Sequence, residues 1–168
     1  MKNLVFCGID LAAKEKNPTG IAFIDLKGRV IEEAIMFYNK DITRSVLRIK
    51  PRVIAIDAPL SFPIDGNMRE EERALRKEGY NVFPFFDSMK LLAKRGIEID
   101  KMLDAFTVIE VCPSVSAKIL GIQRENNKLR RHVEDAKIAA ITAKLFYEGK
   151  CNLISGRFYI PRKDNGIK

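Results

Sequence analysis

The chain has 168 residues, 46% hydrophobic and 31% charged, with a formal net charge of +8 and a pI near 9.5. That length suits one domain with a real core, and no apolar run approaches the roughly 20 residues of a membrane span. Cys7, Cys112 and Cys151 are odd in number and widely spaced, and His132 is the one histidine; this argues against a disulfide frame, a zinc site or a histidine triad, and for a reduced, cytoplasmic protein.

Met1-Lys2-Asn3 shows no cleavable signal pattern and leads into a first apolar strand, 4–9, ending in Asp10. "LAAKEKNPTG" carries Asn-Pro and Thr-Gly and reads as a turn or flap. "IAFIDL" (21–26) and "VIEEAIMFY" (30–38), joined by a tight "KGR" turn, complete an antiparallel meander. Asp41 can cap a short helix over 42–49. Pro51 stops it, and "VIAID" (53–57) follows as a fourth strand across a right-handed crossover. The least regular part is 61–104, a helical insertion in which "NMREEERALRKEG" and "SMKLLAKRG" flank the aromatic "YNVFPFF" (80–86). "FTVIEV" (106–111) is a fifth strand ending near Glu110, and Pro113 opens the short helix "SVSAKILG". After the polar "QRENNKLRRH", an alanine-rich helix runs over about 133–148 and closes at Gly149, and "RFYIP" reads as an edge strand. The order is that of an α/β protein, a single domain over 1–168 with a mixed five-stranded sheet flanked by helices.

If strands one, four and five run parallel, their C-terminal ends share the sheet edge at which ligands collect. Three of those ends carry acids: Asp10 in "GID", Asp57 in "AID" and Glu110 in "VIE". Asp135, in "EDA", shares a helical face with Ile138, Ala139 and Thr142, so a helix packing through small residues brings it towards the sheet. Converging carboxylates repel one another unless a hard divalent cation such as Mg²⁺ or Mn²⁺ lies between them. Two such ions about 3.5–4 Å apart can hold an attacking water and a leaving oxygen in line for phosphodiester cleavage. A basic chain with an acidic centre suits that chemistry, with nucleic acid as the polyanion. Each acid also has an ordinary reading: Asp10 as a turn residue, Asp135 as a helix-start charge, Glu110 as an arginine partner. Their joint placement favours the site.

The stretches "GIDLA…TGIAF", "IAIDAPLSFP", "MREEERALRKEG", "EVCPS" and "EDAKIAAITA" follow one another over nearly the whole chain. In that order they resemble an uncharacterised family of predicted nucleases, domain-of-unknown-function family 429, with an RNase H-like fold. The resemblance implies a sheet ordered 3-2-1-4-5, metal-binding acids at Asp10, Asp57 and Asp135, and a magnesium- or manganese-dependent nuclease acting on DNA or RNA. In the nuclease reading Glu110 or Glu134 is an auxiliary catalytic carboxylate beside those three. The last third is also similar to RuvC-type junction resolvases, which makes Lys118 and Lys128 candidate phosphate-binding lysines and implies a homodimer. Arg69, Arg73 and Arg76 follow one helical face and suit phosphates, or equally pair with Glu70, Glu71, Glu72 and Glu78. Two other readings stand beside the nuclease. One is a nucleic-acid-binding module that has lost turnover. The other is an actin-like phosphotransferase, since "GIDLA…TG" also resembles a phosphate loop, although Ala12 and Ala13 stand where that loop has glycine and the chain leaves no room for a second lobe.

Overall fold

The computed structural model describes residues 4–165. Its strands are β1 (Val5–Asp10), β2 (Thr19–Asp25), β3 (Val30–Met36), β4 (Val53–Asp57), β5 (Thr107–Glu110), β6 (Cys151–Ser155) and β7 (Phe158–Pro161). The helices are α1 (Asn39–Ile49), α2 (Glu70–Lys77), α3 (Asp87–Met102), α4 (Pro113–Leu120) and α5 (Lys128–Tyr147). All seven strands form one sheet in the order β3-β2-β1-β4-β5-β7-β6. The expected five-strand order is present within it, but the sheet is wider by two. "RFYIP" is not an edge: β7 lies parallel to β5 through Glu110 and Phe158, and β6 closes that side as its antiparallel partner. Gly156-Arg157 makes the hairpin turn between them, with Gly156 at φ +53°.

Strand alternation divides the core. Cys7 and Ile9 of β1 and Ile54 and Ile56 of β4 pack with Ile42, Val46, Ile99 and Leu103 on the α1/α3 side. Phe6 of β1 and Val53 and Ala55 of β4 pack with Ala139, Ala140 and Ala143 on the α5 side. Because successive side chains take opposite faces, Asp10 and Asp57 end on the α5 side. Glu110 is on the other parity. It pairs with Ile56, while its neighbours Ile109 and Val111 belong to the α5-side cluster.

α5 seats closely on the sheet. A Cβ on Gly8 would come within 1.9 Å of the Ala136 carbonyl oxygen, and one on Gly20 within 1.9 Å of that of His132. Gly8 against the alanine stripe and Gly20 against His132 therefore let helix backbone touch strand backbone. The helix begins five residues before the expected position, because the Asn127 side chain accepts from the Leu129 and Arg130 amides at 3.1 and 3.2 Å. That cap places "LRRH" inside the helix. Elsewhere, α1 starts at Asn39 with Asp41 in its first turn, not as its cap, and α3 continues past Gly96 to Met102.

Candidate functional site

β1 and β4 are parallel neighbours in a register that pairs Asp10 with Asp57 directly. Both carboxylates project from the C-terminal edge towards α5. There the backbone contact at Gly20 sets the height of the helix, and His132 and Asp135, one turn apart, come down over them. His132 Nδ1 is 2.7 Å from Asp10 Oδ2. Asp135 is 4% exposed, and its oxygens accept a forked pair from Arg124, Nε at 2.9 Å and Nη2 at 2.5 Å.

The electrostatics record the convergence. Burial raises Asp57 well above its ordinary value of 3.8, and the charges of Asp10 and Asp135 push it further, with Arg124 opposing. Asp10 is raised first by burial; its bond to His132 works against this, and the charge of Asp135 adds to it. The interaction between the two carboxyls lowers Asp10 and raises Asp57. Arg124 rises chiefly through its bond to Asp135. The edge is thus an acidic cluster partly neutralised from within, by an imidazole and a guanidinium.

Glu110 does not join it. Turned to the opposite face by parity, it is 4% exposed and receives Arg69 Nη1 at 2.9 Å, Arg69 Nη2 at 2.5 Å and the Leu60 amide at 3.0 Å. The expectation of a catalytic Glu110 is corrected accordingly: it holds the turn beyond Asp57 and anchors the insertion. Arg69 is corrected with it. Only 5% exposed, Arg69 also binds Glu72 across the first turn of α2, so its guanidinium is consumed inside the protein and faces no phosphate. Arg76 donates to the Val82 carbonyl at 3.0–3.2 Å and ties down the aromatic stretch, while Arg73 is exposed. Glu134 pairs with Lys137, which also reaches Glu33, on the outer side of α5.

Lys128 is exposed at the first position of α5, one turn before His132, and Lys118 is exposed on α4 with its ammonium 5.7 Å from the Tyr80 ring centroid. The two residues that sequence reasoning missed are His132 and Arg124. The signal for His132 was its i−3 spacing from Asp135, which a helix start at 133 concealed; nothing in the sequence marks Arg124.

Among solved structures, the chain is similar to T. thermophilus RuvC in complex with a Holliday junction substrate, at 12% identity and TM-score 0.54, over 87% of this chain and 96% of that one. A Thermus thermophilus RuvC structure gives 13% identity and TM-score 0.53, over 87% and 97%. The fold is RuvC-like. At this identity the likeness is one of fold alone. No family model matches the chain, and no curated protein matches it in sequence.

Against this RuvC-like frame the donor set can be tested for a metal. Three carboxylates and one imidazole at a shared edge are ligands suited to a hard or borderline divalent cation. The raised values of Asp10 and Asp57 mark charge that a cation would relieve. Among the described residues, however, no three His, Cys, Asp or Glu side chains are already grouped around one point as ligands. Both oxygens of Asp135 face Arg124 instead. The residues fit in kind, and Arg124 must leave Asp135 for that carboxylate to serve.

Proposed function

We propose that the protein is a divalent-metal-dependent nuclease that hydrolyses phosphodiester bonds of structured DNA or RNA. The observation that carries this reading is the direct pairing of Asp10 with Asp57 on adjacent parallel strands, with His132 and Asp135 brought over them by α5. In this reading Asp10, Asp57 and Asp135 hold Mg²⁺ or Mn²⁺, two ions in the fullest form, with His132 beside Asp10. When bound, the metal supplies a nucleophilic hydroxide and neutralises charge on the phosphate. The chain supplies the rest. Asp10 and Asp57 are fixed by strand register, so their spacing does not depend on side-chain mobility. The His132 imidazole, held by Asp10, can take a proton from the attacking water or return one to the leaving oxygen as its P–O bond breaks. Lys128, exposed beyond the strand edge, and Lys118 meet the nucleic-acid backbone, and the charge of +8 draws a polyanion to the molecule. The RuvC bound to a Holliday junction favours a branched substrate for the same fold. A homodimer belongs to the same proposal and is checked by light scattering of the 19.1 kDa chain.

The second reading is a nucleic-acid-binding module without turnover. The Arg124 fork on Asp135 favours it, since a site that has internalised its counter-charge no longer needs a metal. Cleavage assays separate the two. Branched, hybrid and single-stranded substrates are incubated with Mg²⁺ or Mn²⁺, with wild type and Asp57→Asn in parallel. The nuclease reading expects metal-dependent products that fall by about a thousandfold or more in the variant. Salt-sensitive binding without cleavage of any substrate supports the module.

A further inference from the structure

A second cavity opens directly beside the acidic edge and shares Asp57 with it. It lies between the end of β5, the start of α4 and the inserted segment 75–92, with a volume of about 160 Å³. Leu75, Val111 and Phe158 form apolar walls, exposed by 2%, 1% and 4%. Phe83 stands over the mouth at 67% exposure, and the Asn81 amide and Ser114 hydroxyl also line it. The cavity is held in shape. The Tyr80 amide bonds the Leu75 carbonyl at 3.0 Å, Arg76 holds the Val82 carbonyl, and the Phe85 amide bonds that of Asn67 at 2.7 Å.

Its chemistry narrows the occupant. Arg69, the one cation among the described lining residues, is spent on Glu72 and Glu110, so nothing there receives a phosphate. The Cys112 thiol, pushed up to about 11 mainly by burial, stays protonated and neutral. The volume is below the roughly 300–1,000 Å³ of pockets that take whole cofactors or drug-sized ligands. What fits is one flat, uncharged ring system with polar edges. It would stack on Phe83 and present hydrogen-bonding atoms to Asn81, while its charged backbone stays outside at the acidic edge and the lysines.

We infer that this cavity takes the base of an unpaired nucleotide next to the phosphate presented to Asp57, so the substrates are nucleic acids with an extrahelical base. A base inside a duplex stack cannot reach such a pocket, whereas one already unpaired enters at little cost. The inference rests on the nucleic-acid reading above, but not on turnover.

The test is fluorescence anisotropy of labelled duplexes in Ca²⁺, a hard cation that can relieve the carboxylates' repulsion, with the DNA checked on a gel for the absence of cleavage. One duplex is fully paired, and the other carries a single-nucleotide bulge. The bulged duplex should bind about tenfold more tightly, the scale of one stacked base. Val82→Trp, which fills the cavity, and Asn81→Ala, at an exposed position that spares the fold, should each bring the bulged duplex close to the paired one. Circular dichroism verifies that both variants are folded. Equal wild-type affinities, or a preference that survives both substitutions, overturn the inference. Failure to bind either duplex overturns it together with the nucleic-acid reading. A preference abolished by the variants upholds it even if Mn²⁺ assays show no cleavage, which would remove only the catalytic reading.

Discussion

Asp57 sits where four other charged or polar groups meet, and its protonation sets the local balance. Because burial and the facing carboxylates raise it above 3.8, the folded chain keeps a proton that the unfolded chain releases. The Asp10–Asp57 pair therefore favours folding below that value. It gives up this contribution as pH rises through the raised value, leaving two crowded carboxylates above it. Asp57→Asn should raise the melting temperature of metal-free protein at pH 7–8, by about 2–4 °C for each kcal/mol of repulsion relieved, and the gain should vanish near pH 4. Added Mn²⁺ should stabilise wild type and not the variant, which differential scanning fluorimetry reads directly. Arg124 acts in the opposite sense. Arg124→Ala frees Asp135, so the Mn²⁺-induced thermal shift should grow; an unchanged shift would mean that the guanidinium does not compete with metal. Glu110→Gln leaves Arg69 buried with a weakened counter-charge and should destabilise the fold by about 3 kcal/mol in urea titration, while Glu110→Asp, which keeps the charge, should lose less.

At the scale of elements, α5 turns a row of strand ends into a site. Its height over the sheet depends on Gly8 and Gly20, where helix carbonyls occupy the space of a Cβ. Gly20→Ala must lift the first turns of α5, separating His132 and Asp135 from Asp10. It should depress metal-dependent cleavage by more than tenfold and cost about 1–3 kcal/mol of stability. The elements also explain what the sequence could convey. Apolar strands ending in acids and an alanine stripe after "EDA" pointed to a mixed α/β sheet with Asp10, Asp57 and Asp135 at one edge, while the 3-2-1-4-5 order came from the family resemblance. Register was not legible: a one-residue offset pairs Glu110 with Ile56 and turns it away, although it too ends an apolar run. The cap at Asn127 was overlooked because the residues after it are polar, and His132 went with it. The β6–β7 hairpin was hidden by short strands of mixed polarity, with Ser155-Gly156 as its one cue. Arg69 could not be told from its neighbours Arg73 and Arg76, since i,i+3 and i,i+4 spacing serves a salt bridge as well as a phosphate.

Across the whole molecule, a net charge of +8 accompanies a local acidic edge. Long-range attraction brings a polyanion in, and local repulsion at the carboxylates must be relieved before a phosphate can approach them. Binding should therefore weaken steeply with salt, and log K against log salt should be linear. Lys128→Ala should reduce that slope by about 1 and weaken all substrates alike; an unchanged slope would remove Lys128 from the interface. Among the described residues no helix is long and apolar enough to cross a membrane.

The central claim is that Asp10, Asp57 and Asp135 form one metal-binding centre. Anomalous diffraction from crystals equilibrated with Mn²⁺ tests it most directly. The account predicts a manganese peak between Asp10 and Asp57, with Arg124 withdrawn from Asp135. A map at saturating Mn²⁺ with no peak at that edge, and the Arg124–Asp135 fork intact, would contradict it.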